Sequence, residues 1–347
     1  MDAQGFHARL TRHFDRSAHS WQPQVAISSP HLGIDFHYGP PDLPFHGASV
    51  GKLVTAACIM QQVESGSFTL NTPVTTILSS ADLHGLFAEG HHQEVTVEHL
   101  LTHTSGVNDY FEGRATGGKL SKRALDDLDR AWSPQDLLDH TRINQRPVGK
   151  PGERFFYSDT GFVLLGRILE ETSGVSFEAL VHERVFSPAG MTSAFMPYRS
   201  APQQGTSSIA PMWLGRTRVD TSPAVTVDWA GGAIAATPRD YLRLIRSLRS
   251  GTLMSRDSWE QMGTVRHRFR MGLDYGMGAM IVDFAKLSPW ARRWPRLTGH
   301  LGISAAHLWH DPVHDADIVI NFGSTAAMRP SFRALYEVVG ALRSLNS

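Results

Sequence analysis

Three side chains in this 347-residue chain have the types and spacing needed for acyl transfer: Ser49, Lys52 and Tyr157. Ser49-Val50-Gly51-Lys52 opens the helical run SVGKLVTAACIMQQVES, which stops at Gly66. On a helix, positions i and i+3 share a face, so the amine lies beside the hydroxyl. A serine in the first turn also feels the positive end of the helix dipole, which favours developing oxyanion charge. Lysine at its ordinary pKa of about 10.4 is a poor base at neutral pH, so its surroundings must tune it. Alone, Ser-x-x-Lys is a common chance pattern that an ordinary helix start explains equally well.

Tyr157 stands in PGERFFYSDTGFVLLG, in a loop opened by Pro151-Gly152 and just ahead of a helical run. There its phenol can relay a proton between Ser49, Lys52 and a leaving group. The plainer alternative is a core tyrosine with one hydrogen bond. The third motif is Thr298-Gly299-His300-Leu301-Gly302. Gly302 lets another backbone come close, which frees the Ile303 amide to pair with the Ser49 amide as an oxyanion hole.

Ser49-x-x-Lys52, Tyr157-Ser158-Asp159 and His300-Leu301-Gly302, in that order, resemble the serine β-lactamase and penicillin-binding-protein-like family. The likeness extends to VEHLLTHTSG at 97–106, Pro151-Gly152, Gly161–Gly166, Pro188-Ala189-Gly190-Met191 and Ala230-Gly231-Gly232. It is closest to the branch of class C β-lactamases, carboxylesterases, D-aminopeptidases and D-Ala-D-Ala carboxypeptidases. The resemblance implies Ser49 as nucleophile, Lys52 as its partner and Tyr157 as general base and then general acid. It also implies Asp159 contacting Lys52, His300 lining the opposite wall, and no cofactor or metal. The substrate is then a small ester, amide or peptide; hydrolysis of a carboxylic ester or peptide-like amide comes first, and a β-lactamase is the alternative.

Two residues depart from the family pattern. Asp159 replaces the usual asparagine; an ionised carboxylate only accepts hydrogen bonds, and it tends to keep Lys52 protonated. That shifts the base role toward Tyr157 and weakens recognition of an acylamino group. His300 replaces a lysine, and an imidazole of ordinary pKa near about 6.5 is mostly neutral at pH 7. Both changes count against efficient β-lactam hydrolysis.

Competing readings are weaker. Gly47-Ala48-Ser49-Val50-Gly51 matches a nucleophile elbow, but that motif needs a buried strand before the serine, and GPPDLPFHG is not one. His307, His310, Asp311, His314 and Asp315 suggest a metal site, yet strand residues three apart point to opposite faces. Cys58 is the lone cysteine, so no intrachain disulfide forms, and its place in AACIM suits a small buried residue. A non-catalytic binding member of the family would need none of Ser49, Lys52 and Tyr157.

The elements that position these residues can be read from periodicity. Phe6, Leu10 and Phe14 make one face of a helix, and QVAISS and GIDFHY form a hairpin. Ser133-Pro134-Gln135-Asp136 and Thr237-Pro238-Arg239-Asp240 are helix starts, and Gly174 is a stop. Strands return in DYGMGAMIVDF, GISAAHLWH and DADIVINFG, and RPSFRALYEVVGALRS is a closing amphipathic helix. The expectation is an α+β, β-lactamase/transpeptidase-like single catalytic domain over 1–347. Its α/β lobe comes from 1–70 and 225–347, with an antiparallel sheet flanked by terminal helices; residues of about 71–224 make an all-α lobe.

Composition narrows the partners. Lys plus Arg and Asp plus Glu both number 33, so no global field recruits nucleic acid or anionic membrane. No apolar run of about 18 residues spans a bilayer. MDAQGFHARLTRHF is polar throughout, unlike a signal peptide, and the expectation is a cytoplasmic protein. Oligomeric state has no signature in the sequence.

Overall fold

In the computed structural model, which describes residues 1–345, both ends of the chain build one antiparallel sheet of eight strands. From edge to edge the strands are Ile34–Tyr38, Gln24–Ser29, Ala316–Asn321, Ala306–Asp311, Arg296–Gly302, Met280–Asp283, Leu273–Tyr275 and His267–Arg270. The first strand of the hairpin therefore pairs with the last strand of the chain, with Gln24 opposite Asn321 and Ile27 opposite Ile318.

Side-chain alternation decides what each face of the sheet meets. Val25, Ile27, Trp309, Ile318 and Ile320 share one core with Phe6, Leu10 and Phe14 of the helix Ala3–Ala18. Leu335, Val338 and Val339 of the helix Met328–Arg343 complete that layer. The two terminal helices are tied by Arg9 Nε donating to Glu337 Oε1 at 2.7 Å. Ala26, Leu308 and Val319 face the other way, into a core shared with Leu244, Ile245 and Leu248 of the helix Pro238–Ser250.

That second core also surrounds the helix Lys52–Glu64, in which every residue from Lys52 to Met60 is buried. A helix apolar all round belongs in an interior. The helix Asp159–Ser173 packs beside it, buried from Asp159 through Gly166. The capping expectations hold: Ser133 and Asp136 form a reciprocal capping box, Thr237 caps through the Asp240 amide, and Gly174 closes its helix in the left-handed region.

Two strand readings need correction, one edge strand carries no sequence signal, and the region of about 71–224 is not wholly helical, since Trp213–Leu214 pairs with Thr217–Arg218. DYGMGAMIVDF is two strands, because the Gly276 amide bonds the Ala279 carbonyl and folds the run into a hairpin. In GISAAHLWH the strand begins only at Ala306; the Ala305 amide bonds the Gly302 carbonyl in a turn, and the preceding strand is Arg296–Gly302. The edge strand His267–Arg270 carries no apolar run that would announce it. Among the described residues, no helix is long and apolar enough to cross a membrane.

Candidate active site

Ser49 lies on the short 3-10 turn Ala48–Gly51 that leads into the helix Lys52–Glu64. The turn is tightly held. Ala48 has φ +47°, a left-handed conformation that costs a residue with a Cβ energy and that packing must enforce. A Cβ on Gly51 would come within 2.7 Å of Gly232 Cα, so the Ala230-Gly231-Gly232 segment can press against the turn only because both positions lack side chains.

Lys52 begins the helix and points inward, with its amine fully buried. Nζ donates to Ser49 Oγ at 3.3 Å, to the Gly231 carbonyl at 2.7 Å and to the Asp159 carboxylate. Burial alone would lower the lysine pKa. The negative charges of Asp159 and Asp228 outweigh it, and the net shift is upward. Lys52 is therefore an ammonium, as the aspartate at 159 led us to expect.

Tyr157 comes from the segment just before the helix Asp159–Ser173. Ser158 caps that helix by accepting from the Gly161 amide, and its hydroxyl donates to the Asn108 carbonyl at 2.8 Å. The Tyr157 ring centroid lies 5.1 Å from Lys52 Nζ. Burial, then the charge of Asp159, hold the phenol well above its ordinary pKa, and a hydrogen bond from Ser49 pulls the other way. The pair thus rests as ammonium and neutral phenol.

Two further carboxyl groups, missed in the sequence, complete the surroundings. Asp109 and Asp228 are both raised to about 7, chiefly by burial and then by the charge of Asp159. Asp109 Oδ1 accepts from the Asp159 amide at 3.0 Å. Asp228 sits two residues before the flagged Ala230-Gly231-Gly232, which was its available signal; Asp109 follows the 97–106 motif by three residues.

The strand end at Leu301-Gly302-Ile303 forms the facing wall. A Cβ on Gly302 would lie 2.2 Å from the Gly47 carbonyl oxygen, so only glycine lets this strand meet the Ser49 turn. Ser49, Gly302 and Ile303 line one cavity of about 700 Å³ with Tyr157 and Asp159. His300 does not line it, which corrects the expectation for that side chain. The residue is fully buried behind the wall, with Nδ1 accepting from the Leu301 amide at 3.0 Å. Burial and then Lys52 push its pKa down to about 3, so it is a neutral imidazole. His300 packs instead beside the Tyr275 ring, with centroids 6.0 Å apart.

Apolar groups dominate the rest of the cavity, among them Phe111, Val225, Phe269, Met271 and Phe332. Its charged walls are Asp109, Glu112, Asp159 and Asp228, against a single arginine, Arg270. The histidine-rich segment at 307–315 lies elsewhere and each ring has its own partner. His307 meets Ser331 and Trp309, His310 meets Asp317, and His314 meets Asp311. Among the described residues, no group of three or more His, Cys, Asp or Glu is arranged to hold a metal ion.

The chain is 30% identical over 208 residues to esterase EstB of Burkholderia gladioli, covering 55% of this chain and 52% of that one. It is 29% identical over 213 residues to penicillin-binding protein 4 of Amycolatopsis lactamdurans, covering 59% and 50%. The chain thus spans about half the length of these relatives. In fold it matches D-amino acid amidase from Ochrobactrum anthropi SV3, complexed with L-phenylalanine, at a TM-score of 0.80 with 19% identity, covering 99% and 100%. The family model described as Beta-lactamase matches residues 38–337, which include the Ser49 turn, the tyrosine segment and the strand wall; the chain belongs to the β-lactamase family.

Proposed function

We propose that the protein is a serine hydrolase that transfers an apolar acyl group from an ester or amide to Ser49 and then to water. The observation that carries this is the placement of Ser49 on the wall of a largely apolar cavity of about 700 Å³, with Lys52 Nζ 3.3 Å from its Oγ and the Tyr157 ring centroid 5.1 Å from that same nitrogen. In the reactive form one proton has left the Lys52–Tyr157 pair. Ser49 Oγ attacks the carbonyl carbon as its proton passes to the Tyr157 oxygen, and Lys52 steadies the developing charge. The carbonyl oxygen becomes an oxyanion received by the Ser49 and Ile303 amides. Collapse expels the alcohol or amine, which takes the proton from Tyr157. Water repeats the sequence on the acyl-enzyme.

Asp159 keeps its supporting role at Lys52. His300 contributes bulk behind the wall, with no charge for a substrate carboxylate. That argues against a β-lactam or a C-terminal carboxylate as the substrate. The chain acts in this reading as one catalytic domain, the site lying between the sheet and the helices inserted near 71–224.

One observation favours a second substrate class. Asp109, Glu112 and Asp228 line the same cavity and suit an α-ammonium, so amino-acid amides with apolar side chains form the second reading. A turnover screen separates these: p-nitrophenyl esters of rising acyl length, D- and L-phenylalaninamide, and a chromogenic cephalosporin. Longer or aromatic acyl esters should outpace acetate, with the cephalosporin slowest. A fluorophosphonate should label the protein and fail on Ser49→Ala. Well-folded protein that takes no label overturns the hydrolase reading.

A further inference from the structure

His103 is buried, with 2% of its surface exposed, and it takes no part in the proton transfers above. Its contacts converge on Tyr157. The Phe156 amide donates to the His103 carbonyl at 2.8 Å, and the Ser158 amide donates to His103 Nδ1 at 3.1 Å. Between these two anchors the imidazole lies against the Tyr157 ring, with centroids 4.3 Å apart and planes at 37°. One residue therefore grips the backbone on both sides of the phenol and fixes the ring itself. The backbone of His103 has φ +57°, a left-handed value uncommon for a residue with a side chain.

The tautomer follows from these contacts. Nδ1 accepts, so the proton of the neutral ring resides on Nε2, which has no partner among the described residues. Burial, then the charge of Lys52, hold the ring well below its ordinary pKa, so it stays neutral beside the ammonium. Tyr275 packs against both rings, its centroid 4.6 Å from His103 and 5.9 Å from Tyr157.

We propose that His103 is a positioning residue for Tyr157: through Nδ1 and its backbone carbonyl it sets where the phenol oxygen sits relative to Ser49. The proposal rests on the reading that Tyr157 carries the serine proton. It concerns the rate of the acyl-transfer step and leaves substrate binding untouched.

The test exploits two amides of different reach. In His103→Asn the side-chain oxygen takes the place of Nδ1, and asparagine tolerates the left-handed backbone. In His103→Gln the oxygen falls near the place of Nε2 and the Ser158 amide loses its acceptor. Steady-state kinetics on the best p-nitrophenyl ester, fluorophosphonate labelling rates and thermal melts are measured for both, with Tyr157→Phe alongside. A displacement of about 1 Å in a reacting group can cost about 10²-fold. The Gln variant should lose about that factor in kcat and in labelling rate, with KM within about twofold, whereas Asn should stay within about tenfold of the parent. Folded Gln protein with parental kcat overturns the proposal, as does a folded Asn variant as slow as Gln. If Gln does not fold, the Asn variant decides alone: retention supports the role and a loss of about 10²-fold overturns it. A Tyr157→Phe enzyme at full rate overturns instead the role given to the tyrosine, a separate outcome.

Discussion

Charge around one lysine governs the site. The amine of Lys52 is buried among Asp159, Asp228 and the Gly231 carbonyl, and its pKa rises in spite of desolvation. Both members of the Lys52–Tyr157 pair are shifted upward, so the reactive ionisation lies on the alkaline side and kcat/KM should climb as pH rises above neutrality. Asp159→Asn removes the charge that contributes most to holding the proton on Lys52. The lysine pKa then falls, and the rising limb should move to lower pH; a pH–rate profile that moves to higher pH contradicts the assignment. Asp109 gives a second pH effect of opposite use. Its folded pKa of about 7 exceeds the ordinary 3.8, so the folded state holds a proton that the unfolded state releases between those values. Its contribution to stability is complete below pH 3.8 and is lost as pH rises through 7. Urea midpoints at several pH values should fall less steeply toward neutrality in Asp109→Asn than in the parent.

Close backbone contacts at the ends of elements shape the site. The strand Arg296–Gly302 ends against the nucleophile turn, with no room for a methyl group at Gly302. In Gly302→Ala the new carbon must push the strand end from the Gly47 carbonyl and carry the Ile303 amide with it. Loss of one oxyanion donor costs about 10²–10³ in kcat. We expect a loss of that order with melting temperature little changed, since the rest of the sheet pairing is untouched. A variant with parental kcat would show that the Ile303 amide is not a donor to the oxyanion. Capping is a contrasting element-scale feature: the Ser133–Asp136 box stabilises the start of the helix Pro134–Asn144, and its loss should show first in stability.

At the scale of the molecule, the two chain ends are mutually dependent. The strand Gln24–Ser29 completes its pairing only on Ala316–Asn321, and Ala3–Ala18 packs on the closing helix. The sheet core beneath these helices is therefore assembled from residues almost a whole chain length apart, a topology that slows folding. Leu10 lies fully buried in that layer. Leu10→Ala should cost about 2–5 kcal/mol, measured by denaturant unfolding, while kcat of the folded fraction stays parental because the layer lies on the face of the sheet opposite the nucleophile helix. A matching fall in kcat would mean that the terminal helices hold the site itself.

Local chemistry made much of this legible in advance. Helix caps, glycine stops, the i to i+3 placement of Ser49 and Lys52, and the hairpin at 24–38 depend on residues near in sequence, and the chain alone determined them. The neighbourhood of Lys52 did not follow from local rules. Asp109 and Asp228 reach it from segments with no periodic signal, and His103 takes its role from a left-handed backbone that no residue type announces. The burial of His300 was lost for a related reason: the ring that packs beside it, Tyr275, comes from another strand. Registers and buried charge balances are sums over distant partners, so only the tertiary structure decided them.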